Sequence, residues 1–312
     1  MSDRESARGE PFDRRAHRSH RCRAARRLDD HDFLLREVAA RLVDRLDDVK
    51  RDFPTVLDLG CHGGELGQLI AGRRGLTTLV QCDLSPAMVG RARDANGASA
   101  HVLAADEERL PFADGSFDLV LSNLSLHWVN DLPGTLVQIR RVLKPDGLFL
   151  GAMLGGATLH ELRGALMEAE LACEGGASPR ISPFAGVRDA GDLLQRAGFA
   201  LPVADCDTIT VTYEGALALM HELRGMGESN AVRTRRQGFS RRATLMEAAA
   251  AYQRHHAAKD GRIPATFEVI YLAAWAPHPS QPKPLAPGSA SKRLADALDA
   301  PEQPAGDKTR PR

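Results

Sequence analysis

The chain has 312 residues, 43% of them hydrophobic, and its 41 basic and 41 acidic side chains leave a formal net charge of zero. That balance excludes bulk electrostatic capture of nucleic acid, and the length suffices for one sizeable core plus additions. No apolar run approaches the ~18 residues that a membrane-spanning helix needs. The five cysteines (Cys22, Cys61, Cys82, Cys173 and Cys206) form no CxxC pair, so reduced thiols in a cytoplasmic protein are expected. The start, MSDRESARGE, has no apolar segment and does not read as a secretory signal.

Residues 1–27 carry nine Arg against four acidic residues. They read as a flexible basic arm, a solvated tail or a contact arm for an anionic partner. His17, His20 and Cys22 have ligand-like spacing there, but a flexible arm is a poor metal site and no metal is assigned. Leu34, Leu35, Val38, Leu42, Val43 and Leu46 recur at helical spacing and predict an amphipathic helix over 31–51. Phe53-Pro54 ends it, because the position before Pro avoids the helical region. Strands then alternate with helices. Strands are expected at 55–60, 77–83, 100–106, 117–124 and 148–154. Helices are expected at 65–73, after the Ser85-Pro86 cap and at 132–143. The strands are almost continuously apolar, as in a parallel sheet covered on both faces. Further helices are predicted at 158–173, 188–197, 214–226 and 240–257. Alternation at Asp207–Thr212 and Phe267–Leu272 predicts two late strands that complete the sheet as an edge hairpin. The expected division is the arm, one domain over 28–276 and a disordered Pro-rich tail over 277–312.

The stretch VLDLGCHGGELG, Val56 to Gly67, is a strand that runs into a Gly-rich turn and opens a helix. Small residues let a ligand approach the backbone, and a helix start offers free N–H groups. A phosphate-binding loop needs GxxxxGK[ST], which is absent, and the dinucleotide fingerprint GxGxxG is out of register. Asp58-Leu59-Gly60-Cys61-His62-Gly63-Gly64 resembles the first motif of the class I methyltransferase fold, (D/E)-x-G-x-G-x-G. Asp83 ends the second strand, Ala105-Asp106-Glu107 follows the third, and Phe117–Asn123 runs to the rim. The order matches that family, and each piece lies at a strand's C-terminal end, where open α/β sheets bind ligands.

This resemblance implies a doubly wound, mostly parallel, seven-stranded α/β sheet of Rossmann-like type, with an N-terminal helix and helical insertions in the C-terminal part. It also implies S-adenosyl-L-methionine as cofactor. Asp58, Gly60, Cys61, Gly63 and Gly64 would form its cradle. Asp83, with Leu84, would meet the ribose hydroxyls, since an acceptor-only carboxylate suits a vicinal diol. Asp106 and Glu107 would meet the adenine amino group, and Ser122 would lie at the cofactor rim. His62 stands where the family usually has a glycine. A non-Gly residue at positive φ costs about 1–2 kcal/mol, so His62→Gly is expected to leave cofactor affinity equal or better.

Longer stretches resemble one subfamily more specifically. They are Asn123–Pro133 (NLSLHWVNDLP), Leu143–Gly147, Gly151–Gly156, Glu174–Phe184 (EGGASPRISPF) and Gly225–Asn230 (GMGESN), with Phe12-Asp13-Arg14 in the arm. They are similar to mitochondrial complex I assembly factors of methyltransferase fold, described as arginine hydroxylases, and to their bacterial relatives. The first half also resembles malonyl-acyl carrier protein O-methyltransferases of biotin synthesis. The partner implied is a protein, either a respiratory complex I subunit or an acyl carrier protein, met from the cytoplasm, or at the membrane surface through that partner. Three activities stay open: modification of a complex I subunit (methylation or, as the resemblance implies, hydroxylation), carboxyl methylation on a carrier, and a cofactor-binding assembly role with little turnover. His127 and Asn123 are the candidate catalytic residues, as a base near neutral pH and an acceptor-orienting amide. Trp128 is a candidate aromatic face for the acceptor. Arg180 is a candidate grip on an acidic acceptor, in a loop long enough to cover a pocket.

Overall fold

Seven strands form one sheet in the order β3-β2-β1-β4-β5-β7-β6 in the computed structural model, which describes residues 10–282, 289 and 293–301. Strands β1 (Thr55–Leu59), β2 (Thr78–Asp83), β3 (Ala100–Ala104), β4 (Phe117–Asn123) and β5 (Leu143–Leu154) run parallel. β6 (Ala200–Tyr213) and β7 (Ile263–Trp275) pair antiparallel, and β7 inserts between β6 and β5. The reversal of strand order falls between β1 and β4, so the C-terminal ends of β1, β2 and β4 meet at the switch point where such sheets hold ligands.

The sheet is covered on both faces, and neighbouring residues of a strand serve different cores. Val56, Leu119 and Leu121 pack with helices α2 (Phe33–Asp47), α6 (His160–Glu174), α8 (Ala216–Met226) and α9 (Arg242–His256). Leu57, Leu59 and Val120 pack on the other side with α5 (Leu132–Val142) and α7 (Val187–Arg196). Helix α3 (Glu65–Ile70) follows the Gly-rich turn, and α4 (Pro86–Asn96) starts where Ser85 Oγ accepts the Met88 N–H at 3.3 Å.

The basic arm is not a free arm where the structure describes it. Arg14–Ala24 form helix α1, capped by Asp13, whose carboxylate accepts the Ala16 N–H at 3.0 Å. Its His17, Arg21 and Ala24 are buried. Charge at these positions looked like solvation, but Arg21 pairs with buried Asp83 and His17 stacks on Trp128. Residues 1–9 lie outside the described residues. So does most of the Pro-rich tail; within it, Leu294–Leu298 form a short helix, α10. Among the described residues no helix is long and apolar enough to cross a membrane.

Candidate functional site

The turn after β1 is tight because its backbone folds back on β2. Gly60 and Cys61 both donate to the Cys82 carbonyl, at 2.8 and 2.9 Å. Gly60 has φ +72°, and a Cβ there would come within 2.1 Å of Ser125 Oγ. Only glycine fits, by conformation and by space. His62 takes φ +47° despite its side chain. Its imidazole is fully buried and bonded on both sides, to the Asn123 carbonyl oxygen at 2.9 Å and to Arg21 Nη2 at 2.5 Å. Arg21 can only donate, so Nδ1 accepts and Nε2–H donates. Burial and the Arg21 charge hold this ring neutral, far below the ordinary histidine range.

Three carboxylates line the rim. Asp58 accepts from Gln81 Nε2 at 2.8 Å, and burial pushes it up to about 7. Asp83 is pushed by burial to about 6, against the pull of Arg21. Its Oδ2 accepts from Arg21 at 2.7 Å and from the His62 N–H at 3.1 Å, and its Oδ1 from the Ser85 N–H at 2.8 Å. Glu107 is buried and accepts from Ser125 Oγ at 2.9 Å. Arg14 bridges Asp106, at 2.6 Å, and Glu107, and its Nη1 donates to the Trp128 carbonyl at 3.1 Å. Helix α1 thus supplies a cation to the carboxylates of β2 and of the segment after β3. Arg14, His17 and Arg21 share one face at i, i+3 and i+7 spacing.

Beyond Trp128 opens a cavity of about 420 Å³, walled by Leu154, Leu162, Phe184, Met226 and Phe267. Glu228 lies in its lining with only 8% of its side chain exposed. Its Oε2 accepts from Trp128 Nε1 at 2.8 Å and from His127 Nε2 at 3.1 Å, while Oε1 takes no hydrogen bond among the described residues. Trp128 is fixed from behind by His17, stacked at 4.8 Å, and by Phe12, edge-on at 5.4 Å. Arg180, Arg224, Arg235 and Arg236 also line the cavity. Arg180 is tied to Glu170, Arg235 to Asp13 and Arg236 to Glu174.

Residues 57–151 match the family described as a methyltransferase domain. The chain is 45% identical over 287 residues to the zebrafish (Danio rerio) protein named arginine-hydroxylase NDUFAF5, mitochondrial, covering 91% of this chain and 88% of that one. It is 36% identical over 263 residues to a malonyl-[acyl-carrier protein] O-methyltransferase of Methylovorus, with 82% and 86% covered. The solved YcgJ protein of Bacillus subtilis, 15% identical, superposes with a TM-score of 0.55 over 77% of this chain and 99% of that one, which shows the fold. The chain belongs to the methyltransferase-fold family that contains the NDUFAF5 arginine-hydroxylases. S-adenosyl-L-methionine is the cofactor of this methyltransferase domain. The residues fit it: a turn that admits no side chain at Gly60, and buried acids on one rim.

Other family positions behave differently from their sequence reading. Ser122 Oγ donates to the Leu59 carbonyl at 2.9 Å and ties β4 to β1. Asn123 is not placed to orient an acceptor. Its Nδ2 donates to the Leu35 carbonyl at 2.8 Å and anchors α2, while its own carbonyl holds His62. His127 is not a free base: Nε2 bonds Glu228, and Nδ1 accepts the Leu154 N–H at 3.4 Å. Arg180 does not reach out for an acceptor, because its Nε is held by Glu170 at 2.7 Å and its Nη1 by Ser240 at 2.6 Å. Cys61 is buried, its thiol pushed up by burial, and it contributes backbone. Leu84 is half-buried between Asp83 and the α4 cap. Trp128 does line the cavity, as a wall that is also core. His17, His20 and Cys22 separate, to Trp128, the Ser229 carbonyl and Ser85. Arg14, Ser125 and Glu228 lie in stretches the sequence resemblance picked out but were given no role there, and Arg21 lies in none of them. Helical spacing within the arm was the available signal for Arg21.

Proposed function

We propose that this protein is a S-adenosyl-L-methionine-dependent enzyme that modifies a cationic side chain of a protein partner, an arginine in a respiratory complex I subunit. Glu228 carries this reading. It is a buried carboxylate at the wall of the acceptor cavity, oriented by Trp128 and His127, with Oε1 left for a donor. Such a group attracts a guanidinium and repels a malonyl carboxylate. The arginines of the lining are an argument for an acidic carrier, but three of the four are already paired within the chain. The names of the 45%-identical relatives support arginine as the acceptor.

In this reading Gly60, Gly63 and Gly64 let the cofactor lie against the backbone. Asp83 accepts from its ribose, and Asp106 or Glu107 from its adenine amino group. The bound cofactor supplies an electrophilic methyl group, and transfer by in-line displacement asks mainly for positioning. His127 serves by holding Glu228, and Trp128 by walling the cavity. The protein works from the cytoplasm and reaches a membrane-bound complex through its partner. The test is incubation of the full chain with cofactor, complex I subunits and acyl carrier protein, followed by mass spectrometry. A modified arginine supports the reading, and the added mass tells methyl from oxygen. Modification of the carrier carboxyl overturns it. Stable capture of a subunit without turnover overturns it in favour of an assembly role.

A further inference from the structure

We propose that helix α1 is a strap over the nucleoside site, and that Arg21 exchanges Asp83 for the α-carboxylate of S-adenosyl-L-methionine when the cofactor binds. The proposal rests on the cofactor reading above. Asp83 Oδ2 has two donors, Arg21 and the His62 N–H, and Oδ1 has the Ser85 N–H. A vicinal diol that needs both oxygens meets the guanidinium at Oδ2, where a hydroxyl must sit. Arg21 cannot lose its proton, and its side chain is only 1% exposed, so it cannot stay buried without an anion. The cofactor takes one carboxylate from Arg21 and brings another on its methionyl end.

Two further observations point the same way. Arg21 Nε is buried and has no hydrogen-bond partner, so one donor of this fork already lacks an acceptor. The second is how the strap is anchored. Asp13 N–H donates to the Ala231 carbonyl and Arg233 N–H to the Pro11 carbonyl, each at 2.8 Å, and His20 bonds the Ser229 carbonyl at 3.1 Å. These anchors adjoin Glu228, Ser229 and Asn230 of the acceptor cavity. Movement of α1 therefore transmits cofactor occupancy to the acceptor wall.

Calorimetry on the full chain tests this with S-adenosylhomocysteine, which has the carboxylate, and methylthioadenosine, which has the nucleoside and sulfur without it. The native protein prefers the carboxylate-bearing ligand. Arg21→Met reduces that preference by about 10- to 100-fold, the worth of one or two charge-assisted bonds. Its methylthioadenosine affinity holds or rises, because Asp83 is released. Arg21→Lys recovers part of the preference. An unchanged preference in Arg21→Met, or a lysine no better than methionine, overturns the exchange. Tryptic cleavage of the native chain at Arg15 and Arg18 gives a readout independent of variant folding: the homocysteine ligand slows it more than methylthioadenosine does. Equal protection by both overturns the proposal. Failure of both ligands to bind the native protein overturns the cofactor reading itself.

Discussion

The nucleoside side and the acceptor side of this molecule share the Trp128 wall, yet they handle charge in opposite ways. On the nucleoside side every rim acid except Asp58 is matched by an arginine of α1, and Asp83, Glu107 and Arg21 are buried. On the acceptor side a cavity of about 420 Å³ lies open, three of its four arginines paired with acids of the chain and its one inner carboxylate held by the Trp128 and His127 side chains. The first side is a charge-compensated core that a ligand must enter by exchange. The second is a preformed space that a ligand enters by filling it. Buried ion pairs add little net stability but are costly to break on one side only, so perturbations of the two regions differ in size.

The largest effect is expected at Asp83. Asp83→Leu leaves the Arg21 guanidinium buried without its partner and lowers stability by about 3–5 kcal/mol. Arg21→Met on top of it restores most of that loss, because no charge remains uncompensated, while S-adenosylhomocysteine binding stays lost. Denaturant unfolding of the two single variants and the double variant measures this coupling. Additive losses would show that the nucleoside side is not charge-compensated. At the acceptor side, Glu228→Leu removes the acceptor of two N–H groups, from Trp128 and His127, and is expected to cost about 1–3 kcal/mol. Glu228→Gln keeps an oxygen for Trp128 and recovers stability but not turnover. A glutamine variant with full turnover would show that the carboxylate charge does not recognise the acceptor.

The same contrast governs what could be read from the chain. Asp58, Asp83 and Asp106 were legible because each ends or follows a strand, and strand ends of a doubly wound sheet share one rim. Ser122 and Asn123 were misread for a related reason. Their positions show that they lie near the rim, but they do not show where each side chain points, which is toward Leu59 and Leu35. Glu228 is 100 residues from Trp128, and only the packing of α8 beside the sheet brings the two together. The inward orientation of Arg14 and Arg21 was hidden by composition. A helix as polar as RRAHRSHRCRA has no apolar stripe to announce burial, and its inward face is recognised only once the acids opposite it are known. The two late strands, by contrast, were legible from period-two alternation; they are longer than expected, and with α8 and α9 between them they form an antiparallel pair rather than a hairpin, β7 lying between β5 and β6.

A pH series sharpens the comparison, because the nucleoside side buries groups of both signs. His17 and His62 are held far below the usual histidine value, first by burial and then by Arg21. Unfolding frees them to bind protons, so their contribution is present above about pH 6.5 and is lost as the pH falls below it. Asp58, Glu65 and Asp83, raised by burial to about 7, 7 and 6, act the other way and add stability as the pH falls toward about 4. The two sets oppose each other in the native chain. His17→Phe keeps the stack on Trp128 and removes one titration. Relative to the native chain it is expected to gain about 1 kcal/mol between pH 6.5 and 5.5, measured as unfolding free energy. An equal pH slope in both proteins would mean that His17 titrates normally.

The smallest effect is expected at His62, where opposing contributions meet. Replacing it by glycine relieves a left-handed conformation that costs about 1–2 kcal/mol. It also removes a bond to the Asn123 carbonyl and one to Arg21, each worth about 0.5–1.5 kcal/mol, and frees a backbone that the unfolded chain exploits. The balance is a loss below about 1 kcal/mol. The earlier expectation of equal or better cofactor affinity looked only at the strain and not at Arg21. Without the imidazole, Arg21 keeps Asp83 but loses the group that aims it, so carboxylate preference should fall less than in Arg21→Met. Calorimetry that found the two variants equal would make His62, and not the charge of Asp83, the group that sets the position of Arg21.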